Sequence, residues 1–323
     1  MAEPTTGVSL VADVGGTNTR VALARGSALM LDSVQRFRNA DHTGLDAVLA
    51  QYLETSGATC QAAAVAIAGP VRNGRGRLTN LDWSADTDML HRLTKGRTLA
   101  VLNDLQAQAH ALGHIAPENL ASVVARKTDA GSAPCLVIGF GTGMNAALAL
   151  DSAGGKLVPA SECGHVTLPV VTEDEMRLAQ FVTRKVGHAS VEDVLSGRGI
   201  ETVYAWRASE MGRTETRSAA EIMGSVGTDP LAEETVATFI RLMARVVGDL
   251  ALVHLPFGGV YLIGGVTRSM KPYMASMGFA ASFRAKGRFA PFMDQFEVSV
   301  VEDDFAALAG LAQHVAELDK NLN

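Results

Sequence analysis

Residues 8–24 read VSLVADVGGTNTRVALA. An apolar run climbs to Asp13, a turn follows through Gly15, Gly16, Thr17, Asn18 and Thr19, and a second apolar run leaves from Val21. Short valine- and leucine-rich runs around a glycine pair predict strand, tight turn, strand. Glycines leave the turn's N–H groups unshielded, and Thr17 and Thr19 add hydroxyls, a donor set suited to an anionic oxygen. Asp13 at the mouth of such a turn would repel phosphate, and a divalent cation between them resolves the conflict. An Asp beside two glycines also suits an ordinary hairpin.

A second copy decides between these readings. Residues 136–150 read LVIGFGTGMNAALAL, again an apolar run, a turn (Gly139, Gly141, Thr142, Gly143) and an apolar run. Internal repetition predicts two related lobes facing a shared phosphate. On these two stretches the sequence resembles the sugar-kinase branch of the actin-like ATPase superfamily, and within it the bacterial ATP-dependent glucokinases. The resemblance continues, in the family's order, through Leu102-Asn103-Asp104, Glu162 to His165, Gly187 to Gly197 and Gly258 to Val266. It implies an α/β chain with a two-lobed actin-like ATPase fold, built of ribonuclease-H-like units with a cleft between the lobes. The small domain is expected at 1–104 plus 304–323 and the large one at 105–303.

The 323 residues are 47% apolar and 19% charged, enough for a sizeable core. Aromatics are only 5%, so that core is expected to be aliphatic. A net charge of −6 argues against a nucleic-acid-binding surface. Cys60, Cys135 and Cys163 are widely spaced and read as reduced thiols of a cytoplasmic protein. No apolar run is long enough to span a membrane, and MAEPTTG is not a secretion signal.

Residues 43–56 predict a helix with Leu45, Val48, Leu49 and Leu53 on one face; 62–68 and 99–102 predict strands, and a helix follows Asp104 to Leu112. The turn at 73–77 reads as solvated surface, and 79–83 resembles a loop near the sugar. Further strands are expected at 121–126, 135–140, 145–150, 156–160, 260–263 and 296–301. A long helix is expected over 230–254, stopped by Pro256, and a terminal helix over 304–318.

Asn103-Asp104 sits where a strand hands over to a helix, the place at which open α/β sheets collect ligands. A carboxylate there can accept a proton from an attacking hydroxyl, or it can cap the helix. The resemblance implies that Asp104 is the general base and a sugar ligand, and that Asn103 is a sugar ligand. It implies the same for Glu162, His165 and Glu192. From the residues alone His165 reads as a core histidine, and Glu192 as a helix-dipole partner behind a Ser190–Asp193 capping pair. The resemblance gives the nucleotide to Asp13, Gly15, Gly16, Thr17, Asn18, Thr142, Gly143, Gly264 and Gly265, with Asp13 holding Mg²⁺ through water.

No P-loop and no protein-kinase signature is present, so phosphate charge must be met by Mg²⁺ and by backbone or hydroxyl donors. Zinc at Cys163 and His165 is disfavoured, because the multi-cysteine cluster of the neighbouring ROK family is missing. Two positions depart from the family pattern. Met144-Asn145 follow the GTG turn where small residues are usual, and Cys163 stands where glycine is usual. The expected activity is ATP-dependent phosphorylation of D-glucose at O6, in a homodimer. A kinase for another hexose, a non-catalytic sugar sensor and a plain ATPase are the alternatives. The first strand is expected from Val8, which leaves no space for a DNA-binding domain.

Overall fold

A computed structural model describes residues 7–79, 81–127 and 133–322. By contacts the chain divides into two compact units. Unit one takes Met1–Ile115, Ala149–Ala160 and Asp303–Asn323; unit two takes Ala116–Leu148 and Ser161–Glu302. The first crossing therefore follows Ile115 rather than Asp104, because the helix Asp104–Ala111 packs on the terminal helix Ala306–Leu322.

Unit one is built on strands β1 (Val8–Val14), β2 (Asn18–Arg25), β3 (Ala28–Arg38) and β4 (Ala62–Ile67). A small antiparallel sheet follows, of β5 (Val71–Arg72), β6 (Arg75–Arg77) and β7 (Ser84–Asp86). Then comes β8 (Thr98–Asn103), and the main sheet has the order β3-β2-β1-β4-β8. β1, β4 and β8 are parallel, while β2 and β3 meander antiparallel on one edge.

Strand periodicity splits the apolar residues between the two faces of this sheet. Leu10, Ala12, Val14, Ala63, Val65 and Ile67 face the helix Leu45–Ser56, through Leu45, Val48, Leu49 and Tyr52. Val11, Ala62, Ala64, Ala66 and Ala100 face the other way, where Ala107, Leu308, Leu311 and Ala312 pack. Alanine dominates this second face, and small side chains let backbones approach closely. At Gly310 the approach is closest. A Cβ there would lie 1.8 Å from the Ala107 carbonyl oxygen and 2.9 Å from the Ala111 nitrogen. Gly310→Ala should raise intrinsic helix propensity by about 1 kcal/mol, yet overpacking should win and destabilise the protein by about 1–3 kcal/mol. Urea unfolding decides the sign; a more stable variant would show that the two helices separate freely.

The second sheet comprises β9 (Leu120–Val124), β10 (Cys135–Phe140), β11 (Met144–Ser152), β12 (Gly155–Leu157), β13 (Gly259–Ile263) and β14 (Val298–Val301). Its order is β12-β11-β10-β13-β14-β9. Counted from its glycine hairpin, each main sheet runs third, second, first, fourth, fifth strand, so the repeat seen in the two Gly/Thr turns extends to topology. Unit two adds β9 antiparallel on the β14 edge. Its core is aliphatic but holds several buried rings, among them Phe140, Trp206, Phe239, Phe279 and Phe296. The helix Pro230–His254 runs through it, started by an Asp229 cap with Pro230 in its first turn, and ended by Leu255 in the left-handed region.

Candidate active site

The unit-one turn is held from a distance. Gly15 N–H donates to the Asn18 carbonyl at 3.0 Å, and Asn39 N–H donates to the Thr17 carbonyl at 2.9 Å. The Asn39 side chain donates to the Gly15 carbonyl at 2.7 Å and accepts from the Thr19 hydroxyl at 2.9 Å. Thr19 is fully buried, so its hydroxyl is a structural donor and not one offered to an anion. Gly16 and Thr17 stay exposed at the tip. Asn39 has no local signature in the sequence; it lies beyond β2 and β3 and meets the turn only because β3 pairs back along β2.

Asp13 and Asp104 end up on one face of one sheet. Asp13 shares the face of Val11, against which the helix Asp104–Ala111 packs through Ala107. In register, Asp13 is level with Ala66 on β4 and, through it, with Leu102 on β8. Two strand spacings put those backbones about 10 Å apart, with Asp104 just past the end of β8. Burial raises the Asp104 carboxyl to about 6, and the Asp13 charge adds to the rise; hydrogen bonds from backbone and Asn103 oppose it. Burial also raises Asp13, against the Arg20 guanidinium 3.6 Å away.

The helix cap belongs to Asn103, not Asp104. Asn103 Oδ1 accepts from Leu105 N–H at 3.0 Å, and Gln106 Oε1 accepts from Asn103 N–H at 3.1 Å, a complete capping box. Asn103 Nδ2 donates to the Gly69 carbonyl at 3.0 Å, and Gln106 Nε2 to the Val158 carbonyl at 2.9 Å. Asp104 Oδ1 accepts from the adjacent Leu105 N–H, at 2.9 Å. The Asn-x-x-Gln spacing is itself a capping signal, and it was legible at Gln106. Nearby, a cavity of about 500 Å³ is lined by Pro70, Arg77, Leu78, Thr79, Leu81 and Asp82. Asn80, within the loop expected near the sugar, lies outside the described residues.

In unit two the second turn closes with Gly141 N–H on the Gly143 carbonyl at 2.9 Å, and Thr142 is exposed at its tip. Glu192 does more than complement a helix. Its Oε2 accepts from Met144 N–H at 2.9 Å and lies where a Cβ on Gly143 would be, 2.5 Å away. The expected Ser190–Asp193 capping box is present. Gly164 is required by contact, since a Cβ there would sit 2.0 Å from the Met144 carbonyl oxygen. Glu162 and His165 flank it and are exposed, so His165 is not a core histidine. Gly264 has φ +100°, and a Cβ on it would meet the Phe140 carbonyl oxygen at 2.3 Å. Gly265 opens the helix Gly265–Met274, whose first turn has no side-chain cap.

The two departures from the family pattern touch each other. Met144 points into the unit-two core and is buried. Asn145 Nδ2 donates to the Ser161 carbonyl at 2.5 Å, and its Oδ1 accepts from Cys163 N–H at 3.2 Å. The Cys163 thiol leans on the same oxygen at 3.6 Å. Asn145 thus ties down both sides of Glu162. Nothing in the local pattern marks that role, because the bond spans 16 residues.

A sequence model of the family described as Glucokinase matches residues 10–318. The glucokinase of Cupriavidus pinatubonensis is 34% identical over 317 residues, 95% of this chain and 92% of that protein. The glucokinase of Neisseria meningitidis serogroup B is also 34% identical, over 97% of this chain and 95% of its own length. The crystal structure of a glucokinase from an Antarctic psychrotroph superposes with a TM-score of 0.85 at 30% identity, covering 96% of this chain and 98% of that one.

Proposed function

This chain belongs to the glucokinase family, and we propose that it transfers the γ-phosphoryl group of ATP to the 6-hydroxyl of D-glucose, yielding glucose 6-phosphate and ADP. The observation that carries the reading is Asp104: a carboxylate beyond the end of a parallel strand, raised to about 6, beside a second carboxylate on the same sheet face. A base with that value is ionised at neutral pH yet basic enough to take a proton.

Asp104 accepts the O6 proton as the O6–P bond forms and the bond from phosphorus to the ADP oxygen breaks. Asn103 Oδ1 has a spare lone pair after its capping bond, and serves a hydroxyl at the same end of the sugar. Glu162, His165 and Glu192 serve the hydroxyls nearest the anomeric carbon; Glu192 binds Met144 N–H through Oε2 and would use Oε1, which has the Arg198 guanidinium 4.0 Å away. Gly16, Thr17, Thr142 and Gly143 offer donors to phosphate oxygens, with Gly15 and Asn18 shaping the first turn. Gly264 and Gly265 leave the backbone open beside the nucleotide. A buried carboxylate whose charge raises its neighbour fits a divalent cation, and Asp13 would hold Mg²⁺ through water. When bound, Mg²⁺ neutralises phosphate charge. No helix among the described residues is long and apolar enough to cross a membrane, and a cytoplasmic homodimer goes with this reading.

The test is kcat/KM for glucose, 2-deoxyglucose, mannose and galactose, followed by ADP release. A buried partner left without its hydroxyl costs about 1–3 kcal/mol, or roughly 5- to 150-fold. Glucose should therefore exceed 2-deoxyglucose by a factor in that range, and Glu162→Gln should narrow the gap by weakening glucose more. Turnover of another hexose in place of glucose would keep the kinase and remove glucose as its substrate. ATP binding with no turnover of any sugar would remove the kinase.

A further inference from the structure

Helix Asp104–Ala111 ends close to a second cluster that the phosphoryl-transfer chemistry does not use. His110 on that helix, with His314 and Glu317 on the terminal helix Ala306–Leu322, brings three ligand atoms within 4.8 Å of one another. All three residues belong to unit one. The two imidazoles are 4.2 Å apart between centroids, tilted by 46°. His314 and Glu317 are three residues apart, so both side chains leave the same face of their helix. His110 is 3% exposed, and its Nδ1 has no hydrogen-bond partner although it is buried. A buried polar atom left unpaired costs free energy, so its presence calls for an occupant.

We propose that His110, His314 and Glu317 form a binding site for a divalent transition metal of the Zn²⁺ class, which bridges the base-bearing helix to the terminal helix. Two imidazole nitrogens and one carboxylate oxygen suit Zn²⁺, Co²⁺ or Ni²⁺, whereas Mg²⁺ and Ca²⁺ take oxygen ligands. Bonds of about 2 Å place neighbouring tetrahedral ligands roughly 3.3 Å apart, so closing the site takes a side-chain adjustment. Burial holds both rings in the neutral form, with His110 at about 3 and His314 at about 4, so each keeps a lone pair for a metal. Glu317 is already oriented: its Oε2 accepts from Lys156 N–H at 3.1 Å. Gly155 makes room for it, since a Cβ there would lie 2.4 Å from that oxygen. Support of this kind around a ligand fixes its position and raises affinity. The cation beside the pair, Lys156, has its ammonium 2.8 Å from Asp151. Three protein ligands leave a fourth position for water, the arrangement of an accessible zinc site.

The experiment uses the full chain, stripped with chelator and kept in excess Mg²⁺ so that oxygen-only sites are filled. Co²⁺ is titrated and followed by its visible d–d absorption, and Zn²⁺ by calorimetry and thermal unfolding. One equivalent should bind with micromolar or tighter affinity, give the intense spectrum of tetrahedral Co²⁺ with nitrogen ligands, and raise Tm. Glu317→Gln and His314→Gln should each lose at least tenfold in affinity, while Cys163→Ala binds as the wild type. Glu317→Gln keeps the acceptor oxygen for Lys156, so it folds even if His314→Gln does not. Absence of saturable binding in the wild type would overturn the proposal, as would unchanged Co²⁺ affinity in Glu317→Gln. Loss of binding in Cys163→Ala would move the site elsewhere and overturn it too.

Discussion

Asp104→Asn should lower kcat for glucose phosphorylation by about 100- to 10,000-fold, the usual contribution of a general base. Glucose affinity should change far less, because the amide keeps the shape and can still hydrogen-bond. The pH dependence separates a base from a structural carboxylate. Wild-type kcat/KM should rise with pH through a limb at about 6, where burial and the Asp13 charge have put this carboxyl. In the asparagine variant the residual activity should lack that limb. Stability should move in the opposite sense. The folded carboxyl, at about 6, holds its proton more tightly than the unfolded one, at 3.8. The native state is therefore the one that loses stability as pH rises from about 4 to about 6, and it carries the full penalty above that. Asp104→Asn should resist urea better than the wild type at pH 7, with the difference vanishing below pH 4. Near-native turnover in a folded variant would leave Asp104 as a buried carboxylate at a helix start with no part in the reaction, since the capping bonds belong to Asn103.

Asp13→Asn should cost at least about 100-fold in turnover, the scale of losing one preorganised electrostatic contact to a transferring phosphoryl group. The loss should shrink as Mg²⁺ is raised, because the variant weakens the ion's seat without removing the phosphates that also hold it. Glucose binding measured without nucleotide should stay within a few-fold of wild type. One further effect ties the two carboxylates together. The Asp13 charge is one of the causes that raise Asp104, so the acidic limb of kcat/KM should shift to lower pH in Asp13→Asn. Arg20 loses its partner 3.6 Å away, but a third of its side chain is already solvated and can complete its hydration. The variant should therefore fold. An unshifted limb would mean that the two carboxylates do not sense each other, and an unchanged Mg²⁺ requirement would remove Asp13 from the metal.

What was legible in the sequence was whatever is written locally. The hairpins at 8–24 and 136–150, the strand at 62–67 and the helix over 230–254 follow from periodicity and from glycine or proline punctuation, because those interactions close within a few residues. The order of the motifs along the chain carried the family, and the Gly/Thr turn repeat carried the relation between the two sheets. The Asn103–Gln106 and Ser190–Asp193 capping boxes were equally local. Contacts that close over tens to hundreds of residues were decided only by tertiary structure. Asn39 clamps the first turn from the far end of β3 and takes Thr19 out of the donor set. Asn145 and Cys163, two separate departures on the page of letters, become one bonded pair that fixes Glu162. His165 turns out to solvent, and His110 meets His314 from the other end of the chain. The electrostatics of Asp104 belong to the same class. A pKa responds to desolvation and to charge within a few ångströms, and both are set by which strands lie side by side, so the residue type showed that Asp104 could be a base, and only the packing of β1, β4 and β8 placed it at about 6.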